Sequence, residues 1–287
     1  MERGMSEAFD YERAVWGAET IDPNRRTLAA YKLSEALAHL PTQGHVAEVG
    51  CGAGRFLRAI AGVRPELQLV GMDVSRTALQ AAKAQAPELG LRHVEGPALP
   101  AADCEFDGLL LLDVLEHASD PVALLGEAAR VLKPDGVLHA HVPCEGDVRC
   151  LWRWLPAQQG PMRLKRRLAG HEQRFRRGEV LALFEANHFE IVRVRNSLHF
   201  IGNLADVGAF AVLAAQQRAA GVDAAWRTTG DLLAPGAGAA SRLVRAVDAA
   251  LWWEARLLGR IPSWGLHISA RKRVPSPPVA EAVQSPA

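Results

Sequence analysis

Cysteine is scarce in this 287-residue chain and never closely paired: Cys51, Cys104, Cys144 and Cys150 form no Cys-x-x-Cys motif. Disulfides are therefore not expected, and the setting predicted is reducing and cytoplasmic. No uninterrupted apolar run reaches the roughly 18 residues that a membrane-spanning helix needs, so none is expected. The Met1-Glu-Arg-Gly-Met-Ser-Glu stretch lacks an apolar core, so no secretory signal is expected either. Charge of one sign is lacking too. Lys and Arg total 33 against 32 Asp and Glu, a net charge of +1. No global field points to a nucleic-acid partner. An Asn-Pro-Pro-Tyr-type motif, a basic domain and internal repeats are all missing. What is present is 49% hydrophobic residues. That is enough for a substantial core, in a length that allows one large domain or one domain plus an elaboration.

The most informative stretch is 46–57, Val-Ala-Glu-Val-Gly-Cys-Gly-Ala-Gly-Arg-Phe-Leu. A short apolar strand ends in an acid and a glycine turn, and a helix follows. Glycine lets backbone N–H groups approach a ligand closely and tolerates unusual φ/ψ. Asp73 closes the next apolar run, Leu67-Gln-Leu-Val-Gly-Met-Asp73, where one carboxylate suits the two hydroxyls of a ribose. Gly50, Gly52 and Gly54 give Gly-x-Gly-x-Gly, not the Gly-x-Gly-x-x-Gly of dehydrogenases. Glu48 would repel a pyrophosphate and welcome a cationic, amino-acid-like group.

These residues resemble motif I of the class I S-adenosylmethionine-dependent methyltransferases, whose loop holds the methionine part of the cofactor. The resemblance continues for roughly 150 residues. Glu95, four residues before Leu99-Pro100, stands where that family usually has an Asp facing the adenine amino group, although the surrounding sequence departs from the usual acid-Ala pattern. Phe106-Asp107-Gly-Leu-Leu-Leu-Leu-Asp-Val-Leu-Glu-His117 is similar to the family's fourth strand and loop. Glu127 to Leu138 is similar to the helix, turn and fifth strand that follow. The resemblance implies cofactor contacts from Glu48, Gly50, Cys51, Gly52, Gly54, Asp73, Val74, Glu95 and Asp113.

Strands are predicted at 46–49, 67–72, 91–94, 107–112, 136–142 and 189–196, with a closing strand at 263–272. Helices are predicted at about 25–40 (capped by Asn24), 53–62, 75–86, 120–132, 178–187, 203–220 and 239–258. The near-continuous apolar strand at 109–112 indicates a sheet buried on both faces. The fold expected is α/β: a doubly wound, mostly parallel, seven-stranded Rossmann-like sheet with an antiparallel closing strand and added C-terminal helices. The expected organisation is an N-terminal segment and cap helix at 1–40 and a cofactor-binding core at 41–200 with a substrate insert at 144–177. A helical insertion follows at 201–262, as lid, interface or membrane contact, then the closing strand at 263–273 and a disordered tail at 274–287. Asn187 is expected to supply the left-handed C-cap of the helix ending there.

Methyl transfer from a sulfonium is a direct displacement, so the protein's task is alignment, with a general base where the acceptor is a hydroxyl. His171, in the insert, is the candidate base, and His117 is the second candidate catalytic residue. Each is also compatible with a structural role. His139 and His141 share one strand face, and one of them could reach the pocket. Asp113-Val-Leu-Glu116-His117 resembles the divalent-metal motif of ubiquinone-pathway O-methyltransferases, with Asp for their first Glu. The same Leu-Glu-His recurs across the superfamily without metal, and no metal is expected here. Arg163-Leu-Lys-Arg-Arg167 with Arg174, Arg176 and Arg177 could steer an anionic substrate or face an anionic lipid surface. Trp252-Trp253 beside Arg245, Arg256 and Arg260 suits an interfacial helix or one packed on the domain or on a second copy.

The function expected is S-adenosylmethionine-dependent methylation of a small-molecule or lipid-like acceptor, most simply at oxygen. The alternatives are a catalytically silent nucleotide-binding or adaptor module and an NAD-dependent oxidoreductase. Peripheral membrane contact and homodimerisation stay open, and the location expected is cytoplasmic, with or without attachment at the membrane.

Overall fold

A computed structural model describes residues 9–13, 15–154, 161–220 and 239–274. Its strands are β1 (Gly44–Val49), β2 (Leu67–Asp73), β3 (Gly90–His93), β4 (Phe106–Leu112), β5 (Leu132–Pro143), β6 (Phe189–Ser197) and β7 (Gly265–Lys272). Its helices are α1 (Leu28–Leu37), α2 (Arg55–Val63), α3 (Arg76–Gln85), α4 (Pro121–Val131), α5 (Pro161–Ala169), α6 (Arg177–Ala186), α7 (Phe200–Ala220) and α8 (Ala239–Leu258). The strands form one 7-stranded sheet in the order β3-β2-β1-β4-β5-β7-β6, and β7 runs antiparallel to both of its neighbours. This is the doubly wound arrangement expected. The reversal of strand order between β1 and β4 makes a topological switch point at the carboxyl edge, where sheets of this kind bind ligands.

The β4 leucines explain why that strand reads as a continuous apolar run. Leu109 and Leu111 pack into the core under α4 and α6, while Leu110 and Leu112 pack into the core under α1, α2 and α3. Period two puts alternate residues on opposite faces, and both faces are dry. Towards β6 the second face changes character. His139 pairs in register with Ser269, and His141 with His267. His139 Nδ1 lies 2.8 Å from Ser269 Oγ, and Ser197 Oγ lies 3.0 Å from His267 Nε2. A buried polar ladder therefore runs across β5, β7 and β6, covered by Tyr31 of α1, whose ring stands edge-on to His267 at 5.4 Å.

Helix starts follow local chemistry. Thr27, not Asn24, caps α1 by accepting from the Ala30 N–H; Ser75 does the same for α3 and Asp120 for α4. At the end of α6 it is His188 that takes the left-handed conformation (φ 64), while Asn187 stays at φ −100 and donates its side-chain amide to the Leu183 carbonyl. The insert contains α5, a helix the sequence reading did not place. No described helix is long and apolar enough to cross a membrane. The tail expected to be disordered lies, from residue 275, outside the described residues, as do residues 221–238 of the expected helical insertion.

α1 is fixed to the sheet by charge as well as by its apolar residues. Lys32 Nζ meets Asp113 Oδ2 at 2.5 Å, with the lysine side chain 11% and the aspartate side chain 28% exposed. Lys32→Met should lower unfolding free energy by about 3 kcal/mol, the low end of the range for a broken buried pair, because Asp113 keeps His141 and some solvent. Lys32→Met combined with Asp113→Leu should recover much of that loss in urea titrations. A single-variant loss below about 0.5 kcal/mol, the scale of a surface pair, would show that the pair is effectively solvated.

Candidate functional site

Every second residue of the turn after β1 is a left-handed glycine: Gly50 (φ 69), Gly52 (φ 55) and Gly54 (φ 77). It is anchored from below, since the Gly50 and Cys51 amides donate to the Met72 carbonyl at 2.7 and 3.1 Å. The Cys51 side chain is buried, and a Cβ on Gly71 would sit 2.8 Å from its sulfur, so only its backbone can serve a ligand. Asp73, at the end of β2, accepts from Gly52 N at 2.7 Å and from Ser75 N at 2.9 Å. It holds the turn in shape, and burial raises its pKa against those bonds. Glu48 is 2% exposed and its Oε2 has no hydrogen-bond partner. Burial pushes its carboxyl up to about 8, with Asp73 and Asp113 adding repulsion against the Arg55 charge. Val74 is half exposed beside this turn. Glu95 is not drawn in. It is exposed and bound to Arg76 and, at 3.1 Å, to His93.

The N-terminal segment straps this turn, a feature the sequence signalled only as scattered aromatics. The Trp16 carbonyl accepts from Ala53 N at 2.7 Å. Arg58 donates to the carbonyls of Gly17, Ala18 and Glu19, and Arg55 pairs with Glu19. The Glu12 carboxylate accepts from the Arg76 and Thr77 amides and from Ser75 Oγ at the start of α3. Thr77, then Arg76, holds that carboxyl down to about 2. Tyr11 extends the strap, its hydroxyl 3.3 Å from His117 Nδ1 and 3.4 Å from the Gly170 carbonyl.

The loop after β4 lies directly beneath the turn, because a Cβ on Gly50 would meet Val114 at 2.6 Å. Asp113 adopts φ 58, a conformation rare for a side-chain-bearing residue. Its carboxylate binds Lys32 and His141, and those two charges hold it well below its ordinary range against the cost of burial. Asp113 thus ties α1 to β4 and β5, a role the cofactor reading did not foresee. His141 is the strand histidine that reaches the site. His139 stays in the ladder with Ser269.

His117 and His171 are brought together, rings edge to face at 4.9 Å. Glu116 beside them is 1% exposed; neither carboxylate oxygen has a hydrogen-bond partner, and Oε1 lies 3.9 Å from His117 Nε2. Burial, then Asp113, raises its pKa well above the ordinary value. Burial and the facing His171 push His117 down to about 4. His171 Nδ1 lies 2.9 Å from Glu145 Oε1, which leaves Nε2 as the nitrogen able to take a proton. Donor atoms of Glu116, His117 and His171 all lie within 4.8 Å of one another, so this trio, without Asp113, could hold a metal ion.

The insert is locked down by charge. Lys165 is 1% exposed, binds Glu145 Oε1 at 2.5 Å and Asp206 Oδ2 at 2.7 Å, and lies over the rings of Trp152, Phe210 and Trp264. Although burial opposes it, His171 and Lys165 keep Glu145 ionised down to about 2. The arginine run expected to form a basic face is therefore interrupted. Lys165 points into the domain, Arg166 pairs with Glu172, and Arg174 donates to the Trp152 carbonyl. Glu172 and Gln173 amides both donate to the Glu116 carbonyl, stitching the insert to the loop after β4.

Residues 47–140 match the family of the methyltransferase domain. Across 123 residues the chain is 32% identical to a ubiquinone biosynthesis O-methyltransferase of Dinoroseobacter shibae, an alignment covering 41% of this chain and 49% of that protein. Across 195 residues it is 27% identical to a Mycolicibacterium smegmatis protein named "probable S-adenosylmethionine-dependent methyltransferase", covering 67% and 70%. The chain thus spans about half the length of the ubiquinone-pathway relatives it matches. Among solved structures, the [4+2]-cyclase SpnF superposes with a TM-score of 0.53 at 20% identity, over 93% of this chain and 88% of that one. That likeness shows the fold alone, and one fold hosts many chemistries. Glycine turn, closing acid and sheet order agree with the sequence match: residues 47–140 are a methyltransferase domain of the class I S-adenosylmethionine-dependent kind.

Proposed function

We propose that this protein methylates a hydroxyl of a small-molecule or lipid-like acceptor in the cytoplasm, with His171 as general base. The observation that carries the reading is the His171–Glu145 pair, joined to His117 beside the loop that underlies the glycine turn. The O-methyltransferase named among the relatives supports oxygen as the acceptor atom.

The residues present fit S-adenosylmethionine. Glu48 offers its buried, unpartnered Oε2 to an ammonium; the turn carries no side chain at Gly50, Gly52 and Gly54, with the Trp16 carbonyl of the strap standing over Gly52; Asp73 stands at the end of β2 for a ribose. When bound, the cofactor supplies an electrophilic methyl group on a sulfonium. The strap from Tyr11 to Glu19 would exclude water from the turn. His171 Nε2 would take the acceptor's hydroxyl proton while Glu145 holds the ring and stabilises the imidazolium. His117, kept neutral, would help shape the acceptor pocket.

A second reading rests on Glu116. A buried carboxylate with no partner is costly, and an ion held with His117 and His171 would satisfy it. The metal-free reading is preferred because Asp113, the first acid of the resembling motif, is already saturated by Lys32 and His141.

Calorimetry should show S-adenosylhomocysteine binding in the micromolar range and none for NAD. The reverse pattern would end the methyltransferase reading. Gly52→Val should abolish that binding while circular dichroism stays native. A Cβ there would fall 2.5 Å from the Trp16 carbonyl, so the strap would lift off the turn.

S-adenosylmethionine binding should release a proton. Free Glu48 titrates at about 8 and is protonated below that; a bound cation favours the carboxylate. Affinity should therefore rise with pH towards about 8 and level off above it. Buffers of different ionisation enthalpy will measure close to one proton released near neutrality, and Glu48→Gln should remove it. Equal heats in all buffers would show Glu48 is already ionised.

With an acceptor found by mass spectrometry of metabolite extract and labelled cofactor, His171→Ala should lower kcat by about a hundredfold or more, with cofactor affinity unchanged. Chelator treatment should leave turnover intact. Loss on chelation with recovery in magnesium would instead assign Glu116, His117 and His171 to an ion.

A further inference from the structure

Away from the glycine turn, an open cleft of about 490 Å³ lies between α1, β6 and the end of α8. Arg193 and Arg195 enter it from one face of β6, Arg256 and Arg260 from the last turn of α8 and just beyond, and Tyr31 and Glu35 from α1. Spacing explains the convergence. Residues two apart share a strand face, and residues four apart share a helix face. None of the glycine turn, Asp73, His117 or His171 lines it.

Its charges do not balance. Glu35 is the sole acid of the lining, and its carboxylate lies 3.4 Å from Arg193. Arg195, Arg256 and Arg260 have no hydrogen bond or ion pair to a carboxylate among the described residues; Arg256 instead stacks on Trp252 at 5.3 Å. Arg193 Nε is a buried donor with no acceptor. That nitrogen is closed to the cleft, but like charges gathered in a concavity are unfavourable, and an anion relieves them. The carbonyls at a helix C-terminus repel anions, but the Gly259 carbonyl is already engaged by Asn196 N at 2.9 Å and by its side-chain amide at 3.2 Å.

We propose that this cleft is a binding site for a phosphate-type oxyanion, distinct from the methyl-transfer site. Guanidinium groups arriving from a strand on one side and a helix on the other suit a tetrahedral anion. A phosphate presents oxygens in several directions, whereas a carboxylate presents two in one plane. The lining also includes Leu257 (74% exposed), so a phosphate bearing an apolar tail would fit. A lipid headgroup and a soluble phosphorylated compound both supply this chemistry.

Calorimetry on the full chain with inorganic phosphate and glycerol 1-phosphate, against acetate at equal ionic strength, tests the site. Both phosphates should bind and acetate should not. Arg195→Gln with Arg260→Gln should weaken phosphate binding by about tenfold or more, while S-adenosylhomocysteine binding, the check on folding, stays unchanged. Sedimentation with vesicles of phosphatidylcholine, alone or mixed with phosphatidylglycerol, separates the sources. Capture by the anionic vesicles only, lost in the double variant, identifies a headgroup; phosphate binding without capture identifies a soluble ligand. Absence of phosphate binding, equal response to acetate, or undiminished binding by the double variant overturns the proposal.

Discussion

Carboxylates crowd the carboxyl edge of the sheet, and the rest of the site follows from how each is stabilised. Glu48, Asp73, Asp113, Glu116 and Glu145 come from the ends of β1, β2, β4 and β5 or the loops beyond them, and all but the part-exposed Asp113 are buried. A charge taken out of water needs a proton, a cation or several N–H donors. Asp73 uses backbone amides and thereby fixes the glycine turn. Asp113 uses Lys32 and His141, and thereby docks α1. Glu145 uses Lys165 and His171, and thereby docks the insert and sets the tautomer of the candidate base. Glu48 through its Oε2, and Glu116 through both oxygens, lack such a hydrogen bond, and burial raises the pKa of each, so they are the acids left to meet something from outside.

The crevice is consequently walled by parts far apart in the chain. The strap at 9–19, α1 and the insert each reach it through polar contacts with these acids or their neighbours. Tyr11 bonds both His117 and Gly170, so strap, loop and insert meet at one point.

The far half of the sheet differs physically from the near half. One of its faces carries His139, His141, His267 and Ser269 in register, flanked by Arg193 and Arg195 on β6. A polar face cannot be sealed by an apolar helix alone. Tyr31 covers part of it, and α8 covers the edge while leaving the arginine-lined cleft open.

By itself the sequence determined the architecture and the glycine turn. Strand and helix periods, β4 leucines buried on both faces and a Gly-x-Gly-x-Gly after an acid are local signals, and local signals survive in one dimension. The alternation Leu-His-Ala-His-Val in β5, repeated as Leu-His-Ile-Ser-Ala in β7, also announces a polar face. The tertiary structure decided which polar groups pair. Asp113 lies 81 residues from Lys32, and Tyr11 lies 106 from His117. Lys32 looked like one more polar residue of an amphipathic helix, and Lys165 like part of a basic run, until burial gave each a carboxylate. Pairing across such separations depends on which loops the sheet order brings to one edge, and no spacing in the chain encodes that.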